Sequence, residues 1–157
     1  MTLAAVTDSG PLIHLAEIDS LGLLSVFDEF LVPETVYAEI EAGGVPTGLD
    51  NVSYELVEAD VDTKETSELD VGERAAITVA RGRGITLLTD DLAARKSASD
   101  DGIDVHGSVG VIALAHGQGR LDADEAARRM RALQRDTSLF VTDAVIESGI
   151  ELLDETR

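Results

Sequence analysis

Short apolar runs alternate with stretches of helical spacing along most of the chain, and this alternation limits the fold more than any other feature. Such an order is typical of a parallel sheet whose crossover helices cover both faces. We therefore predict a three-layer α/β/α sandwich with a mainly parallel central sheet, formed by a single domain over residues 1–157. The predicted strands are residues 3–7, 30–32, 53–58, 85–89 and 104–107.

Helix signals and loop residues fall between these strands. Pro11 suits a first helical turn, with Asp8 or Ser9 as its cap, and Gly43 with Gly44 suits a helix end. Loops are predicted over 43–51 and 59–68, where polar residues, glycine and proline collect. The predicted helices are residues 12–18, 21–27, 34–42, 70–84, 91–99, 108–117, 122–135 and 142–155.

Composition excludes several classes of protein. The 157 residues contain no cysteine, so a disulfide framework and a thiolate metal site are both excluded. No apolar run approaches the roughly 18 residues that a membrane span needs, and the segment MTLAAVTDSG lacks the features of a signal peptide. We expect a cytoplasmic protein that does not enter a membrane.

The chain is strongly acidic. Asp and Glu total 31 against 12 Lys and Arg, which gives a net charge of −19, and only Lys64 and Lys96 are lysines. Such a surface repels itself in ordinary salt, whereas in molar salt the screening length falls to about 3 Å. An acidic, lysine-poor surface on an ordinary core indicates a halophilic protein. The alternative is an acidic protein adapted to ordinary salt.

Acidic residues follow two of the predicted strands directly. Asp8 follows the first, and Asp90 with Asp91 follows the run 85–89. Ligands of parallel α/β sheets bind beyond the carboxyl ends of the strands, so these acids are expected at one edge, close together if the two strands are neighbours. Glu39 and Glu73 lie on predicted helices near the same edge.

Each of these acids also has a purely structural interpretation. Asp8 and Asp90 suit helix caps, and Glu39 suits a solvated helix face. Asp70 and Glu73 have the spacing of a capping box, in which Glu73 bonds the amide of its cap residue. The sequence pattern alone leaves these alternatives open for each residue.

A cluster of carboxylates has a definite chemistry. Ionised carboxylates that lie close together repel one another unless a cation intervenes. Oxygen ligands favour hard ions, so Mg²⁺ or Mn²⁺ is expected here rather than zinc. Such ions activate water and stabilise charge on a phosphodiester. The histidines do not suggest a zinc site or Ser–His catalysis, because His14, His106 and His116 are far apart in the sequence.

Five segments in order resemble a branch of the PIN-domain superfamily, which includes the VapC-type toxins. They are VTDSGPLIHLAEID, VPETVYAEI, LDVGERAAITVA, LLTDDLAARKSA and DVHGSVGVIALA, and together they cover roughly residues 3–118. The first and fourth segments are the most specific. This branch carries a GE-x-x-A-I helix and a T-D-D-x-x-A-R strand end.

The resemblance implies a metal-dependent endoribonuclease that hydrolyses RNA with Mg²⁺ or Mn²⁺. It assigns catalytic and metal-binding roles to four acids. Asp91, which is adjacent to Asp90, is the other candidate metal ligand. Glu73 stands where many VapC-type proteins have aspartate. Ser9 and Arg95 would support the acids or contact the substrate. The four acids are Asp8, Glu39, Glu73 and Asp90.

The resemblance also implies partners. VapC-type toxins are neutralised by a small cognate antitoxin, and homodimers are usual in the superfamily. The arginines within 128–135 favour either a solvated helix face or a partner contact. The alternative to an enzyme is a PIN fold that binds RNA or protein without catalysis. A phosphoacceptor receiver domain is disfavoured, because Asp8 lacks an acidic neighbour and no lysine ends a late strand.

Overall fold

The computed structural model describes residues 2–61 and 68–155. Residues 62–67 of the predicted loop 59–68, with Lys64 among them, lie outside the described residues. The strands are β1 (Ala4–Thr7), β2 (Glu29–Pro33), β3 (Glu55–Val57), β4 (Thr86–Leu88) and β5 (Val105–His106). The α-helices are α1 (Ser9–Glu17), α2 (Glu34–Gly43), α3 (Val71–Arg83), α4 (Leu92–Asp100), α5 (Ser108–Gly117), α6 (Ala123–Asp136) and α7 (Asp143–Glu155).

All five strands form one parallel sheet in the order β3-β2-β1-β4-β5. The register pairs Thr7 of β1 with Leu88 of β4 and Val6 with Leu31 of β2. From β1 the chain adds strands on one side and then returns to the other side with β4. The direction of winding therefore changes between β1 and β4, which is the crevice where ligands of such sheets bind.

The sheet separates two apolar cores because neighbouring residues of a strand point to opposite faces. Ala5 and Leu88 face the core that contains α1, α2, α5, α6 and α7. Val6 and Leu87 face the smaller core beneath α3 and α4. Helices thus cover both faces of a parallel sheet, and the predicted α/β/α sandwich is confirmed.

The predicted elements match the observed ones to within a few residues, with two differences of type. The predicted helix 21–27 is a 3-10 helix over Leu21–Val26, and the predicted loop 43–51 contains a further 3-10 turn at Leu49–Asn51. Both are short segments whose leucines enter the core, where the tighter helix is common.

The C-terminal helices complete one outer layer. Helix α6 packs against α5 and α7 and buries Ala126, Met130 and Leu133. Helix α7 contributes Ile146 and Leu153 to the same core. Within the ranges 2–61 and 68–155, no helix has both the length and the apolar character that crossing a membrane requires.

Candidate metal centre at the carboxyl edge of the sheet

Asp8 lies in the crevice between β1 and β4. Its backbone N–H donates to the carbonyl of Leu88 at 2.9 Å, which continues the pairing of the two strands. Its extended backbone (φ −82°, ψ 172°) makes it the cap of α1, and Oδ1 accepts from the Ser9 N–H at 2.7 Å. The chain therefore begins α1 at Ser9, two residues before Pro11. Only 4% of Asp8 is exposed to solvent.

Thr89 links Asp8 to the end of β4. The fully buried Thr89 hydroxyl donates to Asp8 Oδ2 at 3.0 Å, and the Thr89 hydroxyl oxygen accepts from the Asp91 N–H at 3.2 Å. The expectation that residues after β1 and β4 meet at one edge holds, because the two strands are direct neighbours. Both oxygens of Asp8 accept a hydrogen bond, which fixes the orientation of its carboxylate.

Three carboxylates converge at this edge. One oxygen from each of Asp8, Glu39 and Asp70 lies within 4.8 Å of the other two. Asp8 is buried, Glu39 is half-buried and Asp70 is exposed, so the cluster opens toward solvent on one side. Glu39 comes from α2 and Asp70 caps α3, so three separate stretches of the chain supply the group.

Gly72 makes room for the carboxylate of Glu39. A Cβ atom at Gly72 would lie 2.3 Å from Glu39 Oε1 and 2.8 Å from its Cδ, closer than atoms approach. The glycine thus allows Glu39 to rest on the first turn of α3, where the Gly72 N–H donates to it and the helix dipole favours negative charge. Ser9 also hydrogen-bonds Glu39 through its side chain.

Burial and mutual repulsion disfavour negative charge in this cluster. Burial raises the pKa of Asp8 from 3.8 to about 6, against the lowering effect of the bonds from Ser9 and Thr89. The pKa of Glu39 is also raised, first by burial and then by the charges of Asp70 and Asp8. A cation among the three oxygens would reverse this penalty, because it stabilises the ionised form of each acid.

Glu73 forms the capping box that its spacing allows. Its N–H donates to Asp70 Oδ1 at 2.8 Å, and its own Oε2 accepts from the Asp70 N–H at 3.2 Å. The pKa of Glu73 is raised by burial and then by the charges of Asp70, Asp8 and Asp91. Glu73 is therefore close to the cluster, with one oxygen engaged at the cap, and its role as a metal ligand stays a prediction.

Three polar contacts from the protein hold the carboxylate of Asp90. Its Oδ1 accepts from the Ser108 N–H at 2.6 Å, and its Oδ2 accepts from the Ser108 hydroxyl at 2.6 Å and lies 2.7 Å from Nδ1 of His14. Its side chain is only 8% exposed. A Cβ atom at Gly107 would lie 2.7 Å from Asp90 Oδ1 and 2.5 Å from Nη1 of Arg95, so these two groups share one small space. Asp90 thus joins β4 to α1 and α5.

Asp91 has a different environment. It is exposed, and it caps α4 by accepting from the Ala94 N–H at 2.9 Å. Its charge contributes to the raised pKa of both Asp8 and Glu73, so Asp91 lies within electrostatic range of the acidic edge. Of the adjacent pair, Asp91 is the one coupled electrostatically to the cluster, while Asp90 is held by His14 and Ser108.

A groove of about 450 Å³ begins at Glu39 and runs between α1 and α2. Ile13, Ile40 and Pro46 give it an apolar lining, and Ile13 is 41% exposed. The acidic edge therefore continues into a surface that can accommodate the uncharged part of a ligand.

Two residues of this site are missing from the set that the sequence predicts. The sequence pattern predicts Asp70 only as the partner of Glu73 in a capping box, although its position at the start of α3 directs it to the same edge. Thr89 is present only as the first residue of the T-D-D-x-x-A-R motif and has no predicted role, because a buried threonine at the end of a strand resembles any core residue. The D-x-x-E pattern is a signal for Asp70, since a cap at this edge lies beside the strand ends.

A five-stranded parallel sheet with carboxylates from separate elements at its carboxyl edge is typical of PIN-type domains, a class whose members are usually nucleases that use divalent metals. The model of the DUF3368 family, described as a PIN domain, matches residues 4–155, so the chain belongs to this family of PIN domains. The superfamily indicated by the sequence motifs is thereby confirmed.

A solved structure supports the same fold. A PilT N-terminus domain protein from the hyperthermophilic archaeon Sulfolobus solfataricus P2 is similar to this chain with a TM-score of 0.56 at 20% sequence identity. The similarity covers 69% of this chain and 90% of that one. Among curated proteins, none matches the chain. At this identity the likeness shows the fold alone.

Proposed function

We propose that this protein is a Mg²⁺- or Mn²⁺-dependent endoribonuclease that hydrolyses RNA phosphodiester bonds. The observation that carries the proposal is the convergence of Asp8, Glu39 and Asp70, with one oxygen of each within 4.8 Å of the others. Membership in the PIN family supports a nucleic-acid substrate. The ligand chemistry supports the choice of metal. Three carboxylates whose negative charges lie close together offer the oxygen ligands that a hard divalent cation prefers.

Asp8, Glu39 and Asp70 would hold the ion, with Glu73, Asp90 and Asp91 as the further acids of the edge. When bound, the ion supplies Lewis acidity toward phosphate and water oxygens. The protein contributes orientation. Ser9 and Thr89 fix both oxygens of Asp8, and the α3 N-terminus fixes Glu39, so the carboxylates need little reorganisation.

The proposal is tested by Asp8→Asn, which keeps the shape of the side chain and removes its charge. Wild type is expected to cleave a labelled RNA with Mn²⁺ and to stop in EDTA. The variant is expected to lose at least about 100-fold in cleavage rate and to bind Mn²⁺ more weakly by calorimetry. Glu151→Gln is the matched control, since it removes one negative charge from an exposed position on α7.

The outcomes separate an enzyme from a binding module. Equal cleavage by wild type and Asp8→Asn would reject the assigned site. RNA binding by the wild type without cleavage, at any Mn²⁺ or Mg²⁺ concentration, would favour the non-catalytic PIN fold.

The resemblance to VapC-type proteins extends the proposal to a toxin of a toxin–antitoxin pair that acts as a homodimer in the cytoplasm. This extension predicts that the product of a neighbouring small reading frame co-purifies with the chain and blocks its cleavage activity. It also predicts a mass of two chains by light scattering. If the protein cleaves RNA but is a monomer and cells tolerate it without a partner, the nuclease proposal stands and the toxin role is rejected.

A further inference from the structure

Helix α6 carries four of the 12 basic residues of a chain with net charge −19. Arg128, Arg131 and Arg135 are exposed, whereas Ala126, Met130 and Leu133 of the same helix are buried. At 100° per residue, these three arginines lie on one face, opposite the buried residues. We call this face the arginine ridge.

The arginines of the ridge differ from Arg129 in their contacts. Arg129 is turned inward, where Nε lies 3.0 Å from Glu125 Oε1 and Nη1 donates to the Ser20 hydroxyl at 3.2 Å. Arg128 pairs with Glu125 at 2.6 Å. Among the residues that the structure describes, Arg131 and Arg135 have no carboxylate within 4.0 Å. Two guanidinium groups of the ridge are therefore available to an external anion.

The ridge borders a recess of about 500 Å³. Its lining consists of the three arginines with Ala132, Asp124 and Asp136. The three arginines exceed the two lining aspartates by one positive charge, and Arg128 pairs with Glu125 outside the lining. On a molecule with this net charge, the ridge is a local concentration of positive charge, and it would attract an anionic chain by short-range contact rather than by long-range steering.

A largely exposed aromatic residue follows α6, five positions after Arg135 in the chain. Phe140 is 90% exposed, in the segment between α6 and α7. This segment folds back on α6, because Gln134 Nε2 donates to the Val141 carbonyl at 3.1 Å and to Asp143 Oδ1 at 2.7 Å. The Ser138 hydroxyl also donates to Glu17 at 2.7 Å. Phe140 is thus held next to the last turn of α6.

We propose that the arginine ridge and Phe140 form a docking surface for single-stranded RNA. Exposed arginines contact phosphates, and an exposed aromatic ring stacks on an unpaired base, which is the combination that single-strand binders use. This inference rests on the proposed function, since it assigns a second contact to the same substrate class. A protein partner is the other occupant that exposed arginines and an exposed aromatic residue suit, and the experiments below distinguish it from RNA.

The first test measures binding in EDTA, so that the proposed metal centre takes no part. The variant Arg128→Gln/Arg131→Gln/Arg135→Gln is compared with wild type by anisotropy of a labelled single strand of about 20 nucleotides across a salt series. Each lost phosphate contact reduces the magnitude of the slope of log K against log salt by about 0.7, so a reduction of about 1.4 is expected from the two unpaired arginines, and about 2 if Arg128 also leaves Glu125. The control Arg81→Gln/Arg83→Gln/Lys96→Gln changes the net charge equally on α3 and α4.

The second test concerns Phe140. Phe140→Ala is expected to weaken binding of the single strand at least about fivefold and to leave duplex RNA unaffected, because paired bases offer no free face. Phe140→Trp is expected to restore binding. Since the chain contains no tryptophan, the fluorescence of the Phe140→Trp variant also reports directly on stacking.

Several outcomes would overturn the docking surface. They are an equal slope change in both triple variants, a loss of duplex binding equal to that of single strands, and fluorescence of the Phe140→Trp variant that does not respond to RNA. A changed oligomeric mass in the ridge variant with an unchanged salt slope would assign the ridge to a protein interface instead. Because these measurements are made without metal, they are independent of whether the wild type cleaves RNA.

Discussion

The imidazole of His14 and the carboxylate of Asp90 meet across 76 residues of the chain, with Nδ1 of the histidine 2.7 Å from Oδ2 of the aspartate. Both are mostly buried, with side-chain exposures of 14% and 8%. Ser108 completes the group with two further hydrogen bonds to Asp90. Asp90, the first acid of the T-D-D motif, thus connects α1, β4 and α5.

Loss of this connection is expected to destabilise the fold. Asp90→Asn and His14→Gln should each lower the free energy of unfolding by roughly 2 kcal/mol, since hydrogen bonds to charged groups contribute about 1.5–3 kcal/mol. The double variant should cost less than the sum, with a coupling of about 1 kcal/mol or more. Urea unfolding at neutral pH measures all three. Strictly additive losses would show that the two side chains do not act together.

The metal-free protein is expected to lose stability as the pH rises from 3.8 to about 6. The pKa of Asp8 is raised in the folded state, so the folded protein holds a proton there that the unfolded chain releases. Ionisation of Asp8 then costs roughly 3 kcal/mol of folding free energy, a cost that is absent below pH 3.8 and complete above about pH 6.

In EDTA, Asp8→Asn should therefore be more stable than wild type at about pH 7 and similar at about pH 4, by thermal unfolding. Addition of Mn²⁺ should stabilise the wild type and leave the variant unchanged. The same difference between the two proteins at both pH values would contradict the assigned burial penalty.

Gly72→Ala is expected to displace Glu39, because the new methyl group would occupy the position of its carboxylate. Affinity for Mn²⁺ should fall by roughly tenfold or more, as expected when a ligand is moved. Gly82→Ala is a control in the same helix, since nothing lies within 4 Å of a Cβ atom there. That control should keep its Mn²⁺ affinity and gain roughly 0.5–1 kcal/mol in stability from helix propensity. Equal Mn²⁺ affinities in both variants would exclude Glu39 from the site.

High salt is expected to stabilise this protein. Between about 0.1 M and about 2 M KCl the screening length falls from about 10 Å to below about 3 Å, and the midpoint of thermal unfolding should rise by roughly 10 °C. Glu147→Gln/Glu151→Gln should reduce this dependence, whereas Arg131→Gln/Arg135→Gln should increase it. Stabilisation by sucrose to the same extent as by KCl would point to general solvent exclusion rather than screening.

The fold is predictable because its signals are local. Short apolar runs, the cap at Asp8 and the glycines that end α2 each depend on a few adjacent residues. The order of the strands is harder to predict from the sequence, since the adjacency of β1 and β4 depends on which faces the helices bury. The short helix predicted over residues 21–27 is present as a 3-10 helix, and its type is not predictable because a segment of one or two turns carries too few residues to distinguish the 3-10 period from the α-helical one.

The candidate site is predictable in its location rather than in its details. Asp8 and Glu39 are expected at the same edge, and their oxygens do lie together there. The contacts of Asp70 and Asp90 do not follow from spacing, because Asp70 is brought to the edge by the position of α3 and Asp90 is held by hydrogen bonds from Ser108. Gly72 is equally inaccessible, since its importance depends on a carboxylate from another helix.

The hydrogen bond from Thr89 to Asp8 joins residues 81 positions apart and therefore has a consequence during synthesis. A ribosome-bound chain that has not yet released β4 contains Asp8 and Glu39 but lacks the strand that buries and orients the first of them. The carboxylate of Asp8 is thus oriented only once β4 has been made, after β1, β2 and β3. A fragment of the chain that ends before β4 therefore carries all three acids of the cluster without the Thr89 hydroxyl that orients Asp8.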